Sequence, residues 1–514
     1  MGESRTKNSI FNISSGLLFR LLSLLVNFTS RTVFIKVLGD GCLGLNGLFT
    51  SVLSMFSLAE LGIGQAITYY MYKPIAEQDE DKLASLIQFY KLCYRIIGMA
   101  ILLIGLLLIP VLPKLVNLET DTGYNLYLIY ILYLINTAIS YLFFSYPQTV
   151  LSANQKQYIT NRVESRFVVI SAICEMLFLV LTKNYIAYLL VRIVVAVIKN
   201  IILAYKASRL YPYIKKRNAS RIESKEIKEM FKDVYAIFIV RISSQLFNST
   251  DNLFISAMFG TVLAGYNSNY LMIINAIYGV ISTLIYSFSG SIGNLYATSS
   301  KEKTESVFSI LDFFNRWVSC FCTVCLFQLL NPFITLVWGE KYTFSMASVA
   351  LMCASFYIVS SLYTLFGFRQ SIGLFQYCIY NQLIAALINI ALDFVLGSAI
   401  GINGLFLSTV IANVCIAVFP YARNLYQVGF ELSSGRYVMK IIFGYLTCVL
   451  SCSVTMFLCE SIPVTMWGLI VMAMICFITP NLIMFLLYFK TNDFKGMINY
   501  SLKVLNNLSK RKGL

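Results

Sequence analysis

Two stretches decide the fold when laid side by side: Leu17 to Asn46, LLFRLLSLLVNFTSRTVFIKVLGDGCLGLN, and Phe238 to Asn267, FIVRISSQLFNSTDNLFISAMFGTVLAGYN. Aligned without a gap at an offset of 221, Arg20 meets Arg241, Ser23 meets Ser244, Leu25 meets Leu246 and Asn27 meets Asn248. Thr29 and Thr250, Gly39 and Gly260, Gly44 and Gly265, and Asn46 and Asn267 complete eight identities in thirty positions. Ordinary residue frequencies supply roughly two by chance. Lys82 and Lys303 share the same offset. The chain therefore reads as a duplication.

What is duplicated is membrane-embedded. Hydrophobic residues make up 58% of the 514 positions and charged residues 12%, with a mean hydropathy of +0.73. Water would not solvate such a surface, so the bilayer is the expected solvent. Apolar runs long enough to cross a core of roughly 30 Å recur along the chain. They predict an all-α integral membrane protein with about fourteen transmembrane helices, at 10–38, 41–72, 88–112, 124–150, 157–182, 184–206, 233–259, 262–297, 306–330, 345–368, 374–397, 402–422, 438–459 and 463–489. Arg5 and Lys7 precede the first run, but Arg20 interrupts it and no small-residue cleavage site follows, so no cleaved signal is expected.

Charge supports the count. Putting residues 1–9, 73–91, 154–166, 206–232, 301–303, 369, 423–440 and 490–514 on the cytoplasmic side places 29 of the 40 Lys and Arg there. The alternate connections hold four: Lys36, Lys114, Lys183 and Lys341. That asymmetry is the positive-inside signature. It predicts both termini in the cytoplasm and assigns the net charge of +16 to the inner membrane surface, not to nucleic acid.

An even number of helices per copy gives both copies the same orientation, the parallel transporter repeat with its substrate cleft between lobes. The expected organisation is a six-helix lobe at 1–206, a basic linker at 207–232, a second six-helix lobe at 233–423, and two extra helices with a basic tail at 424–514. The linker, with Lys215, Lys216 and Arg217, is expected to rest on anionic headgroups, with docking of a partner enzyme as the alternative.

Within the first helix, Arg20, Ser23, Asn27 and Arg31 fall at helical spacing and line one face. Arg241, Ser244 and Asn248 repeat the pattern, followed by Asp251 and Asn252. With a helix starting near Ile10, Arg20 lies ~15 Å deep, near the bilayer midplane. Arginine there costs at least ~2.5–3.5 kcal/mol on insertion scales, so it should face water or a partner. Matched guanidinium groups on two lobes would suit the oxygens of an anionic, phosphate-bearing substrate. Ion pairing with Asp251 is the structural alternative, and Asp251 is also a candidate for a coupling cation.

Other intramembrane charges read as structural. Asp312 and Arg316, at i,i+4, are expected to neutralise each other. Arg95, Arg192 and Lys199 are expected to snorkel to an interface. Glu60, Glu175 and Asp393 are ion or proton candidates that read first as hydrogen-bonded structural groups. Cys322 and Cys325 have a redox spacing, but inside a span they read as packed thiols. The absence of histidine removes the usual metal ligand and imidazole relay. No Gly-x4-Gly-Lys-Ser/Thr motif is present, so no P-loop drives the protein and no catalytic role is expected. No cofactor is expected, and the energy is expected to come from an ion gradient such as Na+ or H+, from the membrane potential, or from consumption of product on the far side.

The chain resembles the lipid-linked oligosaccharide flippases (Wzx-like) of bacterial polysaccharide synthesis, in the multidrug/oligosaccharidyl-lipid/polysaccharide exporter superfamily. The resemblance is carried by RTVFIKVLGDGCLG at 31–44, LAELGIGQAITYYMYKPIAEQDEDKL at 58–83 and LSANQKQYI at 151–159. In the second half it is carried by STDNLFISAMFG at 249–260, GYNSNY at 265–270, SIGNLYA at 291–297 and NIALDFVLGSAIGINGLFLSTVIAN at 389–413. It implies two six-helix lobes about a cavity plus two C-terminal helices. It also implies a polyprenyl-diphosphate-linked glycan, moved from the inner to the outer leaflet for capsule, exopolysaccharide or O-antigen synthesis. Arg20, Arg31 and Arg241 would take the diphosphate, with Asn27 and Asn248 beside them. The implied partners are that glycan lipid, membrane lipids and polysaccharide-assembly enzymes.

Three other readings compete. A cation-coupled multidrug antiporter has the same architecture but favours an acidic cavity, against which Arg20 and Arg241 stand. A polysaccharide polymerase needs a sizeable external loop, and the external connections at 113–123 and 331–344 are short. A channel or scaffold does not account for the duplication.

Overall fold

The structure is a computed structural model that describes residues 2–56, 63–115, 123–144, 146–154, 156–216, 222, 224–286, 292, 295–296, 299–372, 374, 379–414 and 419–499. In some helical stretches only the backbone is described, including 2–21, 241–242 and 244–249. The described chain is helical from end to end, as a fold must be when its backbone polar groups cannot turn to water. Ten helices among the described residues are long and apolar enough to cross a membrane, and two shorter apolar helices accompany them.

The chain divides by packing into two compact units, Met1–Asn269 and Tyr270–Leu514. The first contains α1 (Gly2–Phe56), α2 (Ile63–Glu77), α3 (Glu80–Leu107), the short α4 (Leu112–Leu115), α5 (Leu126–Phe144), α6 (Tyr146–Ala153), α7 (Gln157–Thr182), α8 (Tyr185–Leu210) and α9 (Ser224–Phe259). It ends inside α10 (Thr261–Tyr286).

Several starts and stops are written locally. Glycine at 39 takes φ 76° and ψ −170°, conformations that side chains resist, so the long first helix is two helices joined at a kink. Gly260, its repeat equivalent, has φ 98° and separates α9 from α10. Asp79 caps α3 by accepting from the Lys82 amide, with Glu80 and Asp81 in the first turn favoured by the helix dipole. Asn184 caps α8 through the Ile186 amide.

In the first unit α1 packs on α7 and α9, α7 on α8, and α3 and α8 on α5. Glycines allow the closest approaches. A Cβ on Gly105 of α3 would lie 2.4 Å from Leu134 Cδ1 of α5, and Tyr130 donates to the Gly105 carbonyl at 2.9 Å. A Cβ on Gly44 would lie 2.3 Å from the Thr261 carbonyl oxygen, and one on Gly265 2.8 Å from the Gly44 nitrogen. The repeat-matched pair Gly44 and Gly265 thus forms a direct backbone crossing.

Of the expected linker, residues 207–210 end α8, and residues 211–216 lie along α3. Lys216 pairs with Glu80 at 3.3 Å and Asp81 at 3.1 Å, and these bonds, Asp81 first, hold its ammonium above its ordinary pKa. Its carbonyl accepts from Gln88 at 2.8 Å. Lys82 of α3 pairs with Glu226 in the first turn of α9. This part of the linker meets acids of its own chain, whereas sequence reading had directed it to headgroups.

The second unit holds the rest of α10, α11 (Lys301–Val337), α12 (Met346–Ser361), α13 (Tyr363–Ser371), α14 (Ile379–Ile400), α15 (Ile402–Ala412), α16 (Phe419–Asn424), α17 (Gly435–Cys459) and α18 (Met466–Tyr488). α11 is its spine, packing on α12, α17 and α18. Phe308 of α11 is fully buried among Phe368, Tyr426, Phe430 and Tyr437. The two C-terminal helices are keyed to that spine by polar contacts. Trp317 donates to Asn481 Oδ1 at 2.7 Å, and Arg316 to the Lys440 carbonyl at 2.7 Å.

Candidate functional site

Six helices of the first unit bring polar residues to one depth. Arg31 lies eight residues before the kink at Gly39, Tyr133 seven after the start of α5, and Glu175 seven before the end of α7. Arg192 lies seven after the start of α8 and Ser268 seven after the start of α10. At 1.5 Å per residue each is about 10–12 Å from the same set of helix ends. Asn252 of α9, the repeat equivalent of Arg31, lies eight before Gly260 and completes the layer.

Arg31 spans the layer. Its Nε donates to Asn269 Oδ1 at 2.8 Å and its Nη2 to Ser268 Oγ. The Ser268 hydroxyl is itself spent on the Gly265 carbonyl at 2.6 Å, which turns its lone pairs toward the guanidinium. Both acceptors are neutral. One turn further, Phe34 packs edge-on against Tyr185 and Tyr188 of α8, with centroids at 5.4 and 5.2 Å. α1 is thereby fixed to α8 by rings and to α10 by hydrogen bonds.

Arg192 sits behind those rings. Tyr188, Tyr133, Glu175 and Tyr185 all lie within electrostatic range of it, and so does Arg31. Tyr133 and Tyr185 share a hydrogen bond at 3.1 Å. Glu175, buried, accepts from Ser171 and interacts with the Tyr188 hydroxyl. Sequence reading sent Arg192 to an interface. Instead it is half-buried and turned into the bundle, because the α8 face that carries Tyr185 and Tyr188 is the packed one. The structural reading of Glu175 holds.

The remaining sequence-derived residues fare unequally. Asn27 is exposed, one turn from Arg31, and Asp251 is half-buried on α9. Asn252 donates to Ser51 Oγ at 2.9 Å and accepts from Asn267 at 2.7 Å, so the repeat places a neutral network where the first copy has Arg31. The side chains of Arg20, Arg241 and Asn248 lie outside the described residues, as does Glu60.

Two buried polar clusters occupy the second unit. Asp312 and Arg316 form the expected ion pair at 2.9 Å, with Tyr437 donating to Asp312 at 3.1 Å. Between α14 and α15, fully buried Asn389 donates to Ser408 Oγ at 3.0 Å and to Asp393 Oδ1 at 3.3 Å. Ser408 donates to the same Asp393 oxygen. Asp393 Oδ2 and Asn389 Oδ1 have no hydrogen-bond partner among the described residues. Those residues contain no group of three or more His, Cys, Asp or Glu placed to hold a metal. Cys322 and Cys325 are free thiols.

The fold is shared with known transporters. Over 93% of this chain and 99% of the other, it superposes on a lipid II flippase MurJ in an inward closed conformation, with a TM-score of 0.68 at 16% identity. A multidrug MATE transporter of the MOP superfamily in an inward-facing conformation matches 80% of this chain and 96% of its own length, with a TM-score of 0.61 at 14% identity. A MOP superfamily transporter from Pyrococcus furiosus, described as having a binding pocket of reverse polarity, matches 81% and 94%, with a TM-score of 0.55 at 12% identity. No curated protein matches the sequence significantly. These likenesses define the class as an all-helical, multi-pass membrane protein with the MurJ and MATE fold. A family profile described as polysaccharide biosynthesis protein matches residues 6–288, more than half of the chain. The chain belongs to that polysaccharide biosynthesis protein family.

Proposed function

We propose that this protein is a flippase that carries a polyprenyl-diphosphate-linked oligosaccharide repeat unit from the inner to the outer leaflet of the bacterial cytoplasmic membrane. It works by alternating access and supplies capsule, exopolysaccharide or O-antigen assembly. On this reading the chain has about fourteen spans in two six-helix lobes plus a C-terminal pair, with both termini cytoplasmic.

The observation that carries the reading is the excess of guanidinium over carboxylate in the membrane-embedded layer of the first unit. Arg31 bonds only the neutral acceptors Asn269 and Ser268, and Arg192 lies within electrostatic range of it and of Glu175. Arginine keeps its charge at any attainable pH and suits bidentate contact with phosphate oxygens. Arg20 and Arg241 would extend the cationic track, with Asn27 and Asn248 donating to the glycan, while the prenyl chain trails into lipid. Membership of a polysaccharide biosynthesis family supports the cargo class. An ion gradient, with Asp251 or Asp393 as the titrating or cation-binding group, would drive the cycle.

Reconstitution tests this. In vesicles loaded on one leaflet with a fluorescent polyprenyl-diphosphate saccharide, the protein should speed its appearance on the other leaflet. A protein that leaves that lipid in place but exports cationic drugs down a sodium or proton gradient is an antiporter, and the proposal fails.

A further inference from the structure

We infer that α9 works as a lever, hinged at Gly260 and latched to α3 by Lys82 and Glu226, and that the latch parts whenever this end of the first unit opens. Its purpose rests on the flippase reading above, and its geometry rests on contacts within the first unit alone.

The two ends of α9 are held by different kinds of contact. At the C-terminal end Gly260 has φ 98°, and the Thr261 carbonyl oxygen beside it would lie 2.3 Å from a Cβ on Gly44. Asn252, eight residues earlier, donates to Ser51 at 2.9 Å and accepts from buried Asn267 at 2.7 Å. Backbone packing and buried amides are out of reach of water and salt. At the N-terminal end Glu226 pairs with Lys82 of α3, and both side chains are partly exposed. Phe231 meets Phe89 of α3 edge-on, with centroids at 6.1 Å, and Met230 beside it is buried. Among the described residues, Lys82–Glu226 is the one ion pair that ties Ser224–Tyr235 to another element. A partly exposed pair holds weakly and yields to solvent and ions. A contact made and broken in each cycle needs that weakness, because parting a buried pair would strand two charges.

The position of the pair gives it leverage. Glu226 lies ~51 Å from Gly260 along the helix axis at 1.5 Å per residue, so a turn of about 10° at the glycine carries it ~9 Å. That is well beyond the ~4 Å reach of an ion pair. The Lys and Arg asymmetry assigns this end of the unit to the cytoplasm. α9 opens the second copy of the repeat and α3 belongs to the first, so the pair joins the two copies where alternating access requires them to separate. The segment before α9 is held on α3 by bonds of its own. Lys216 pairs with Glu80 and Asp81, and Gln88 and Lys91 donate to the Lys216 and Ile214 carbonyls at 2.8 and 3.2 Å. It can stay in place while α9 swings. The repeat supplies no second latch: at the offset of 221, Lys303 stands for Lys82 and Arg5 for Glu226, two cations.

A water-soluble carbodiimide, which joins a touching lysine and carboxylate as an amide with loss of water, tests the latch in proteoliposomes of the full-length protein. Peptide mass spectrometry should find Lys82 joined to Glu226, and translocation of the glycan lipid should fall to less than about a tenth of the untreated rate. Glu226→Gln, treated in parallel, should keep most of its rate. Hydrogen exchange tests the lever without transport. In Glu226→Lys the amides of 228–235 should exchange about tenfold faster while those of 252–265 do not change, and Lys82→Glu/Glu226→Lys should restore protection. Absence of the cross-link, unchanged exchange at 228–235, or equal loss of protection at both ends of α9 each overturns the inference. A joined wild type that translocates at its untreated rate removes the latch and leaves the flippase reading standing. If the untreated protein moves no glycan lipid, the flippase reading fails, and the exchange rates decide the lever by themselves.

Discussion

Gly44 and Gly265 occupy equivalent positions in the two copies of the internal repeat, and they touch each other. The crossing of α1 and α10 at these glycines is a direct backbone contact. The obstruction at each glycine is backbone, which cannot rotate aside as a side chain can. Gly44→Ala should cost about 1–3 kcal/mol through overpacking, read as a lower melting temperature in detergent. Gly47→Ala, whose nearest neighbour is the Ser268 side chain at 3.1 Å, should cost less. Equal melting of the two variants would show that the backbone crossing at Gly44 is not the tighter constraint.

Arg20→Ala and Arg241→Ala should each abolish delivery of the glycan lipid to the outer leaflet while leaving the protein in the membrane at normal abundance. Vesicle translocation and quantitative membrane blots check both halves of the statement. Normal delivery by both variants would refute the cavity assignment of Arg20 and Arg241.

The pair Asp312–Arg316 makes a different kind of prediction. Both side chains are buried, so removing one strands the other. Asp312→Ala should destabilise the protein by about 3–5 kcal/mol. The double variant Asp312→Leu/Arg316→Met, which removes both charges, should recover most of that loss. Thermal melting of the three proteins decides it, and a double variant as unstable as the single one would mean the pair does more than neutralise itself.

At Asp393 one carboxylate oxygen is spoken for and the other has no hydrogen-bond partner among the described residues. Asp393→Asn preserves the shape and removes the charge. Translocation by this variant should lose its response to an imposed sodium or proton gradient, while gradient-free exchange persists. A variant that responds as the wild type does would return the coupling role to Asp251.

Much of this arrangement is legible in the residues alone, and the exceptions have physical causes. The kink at Gly39 and the break at Gly260 follow from the repeat, and the helix predicted at 157–182 matches α7 residue for residue. α9 starts at Ser224, earlier than the predicted residue 233, because its first turns are charged and pair with α3 through Lys82 and Glu226, a pattern that composition reads as linker. The Arg192–Glu175–Tyr188 cluster escaped sequence reading because its members sit on separate turns and helices with no local motif. Counting residues from predicted helix ends would have placed Arg31, Tyr133, Glu175 and Arg192 in one layer.

The two C-terminal helices stand outside the duplication, which invites the idea that they are dispensable. Their anchorage says otherwise. Tyr437 and the Lys440 carbonyl of α17 satisfy Asp312 and Arg316 on α11, and Asn481 of α18 satisfies the Trp317 indole. A protein cut after Arg423 would leave a charged pair and an indole N–H of α11 against acyl chains, with nothing there to accept or donate. The appended pair is the wall that makes the spine of the second unit habitable, and without it that spine would not keep its polar groups satisfied.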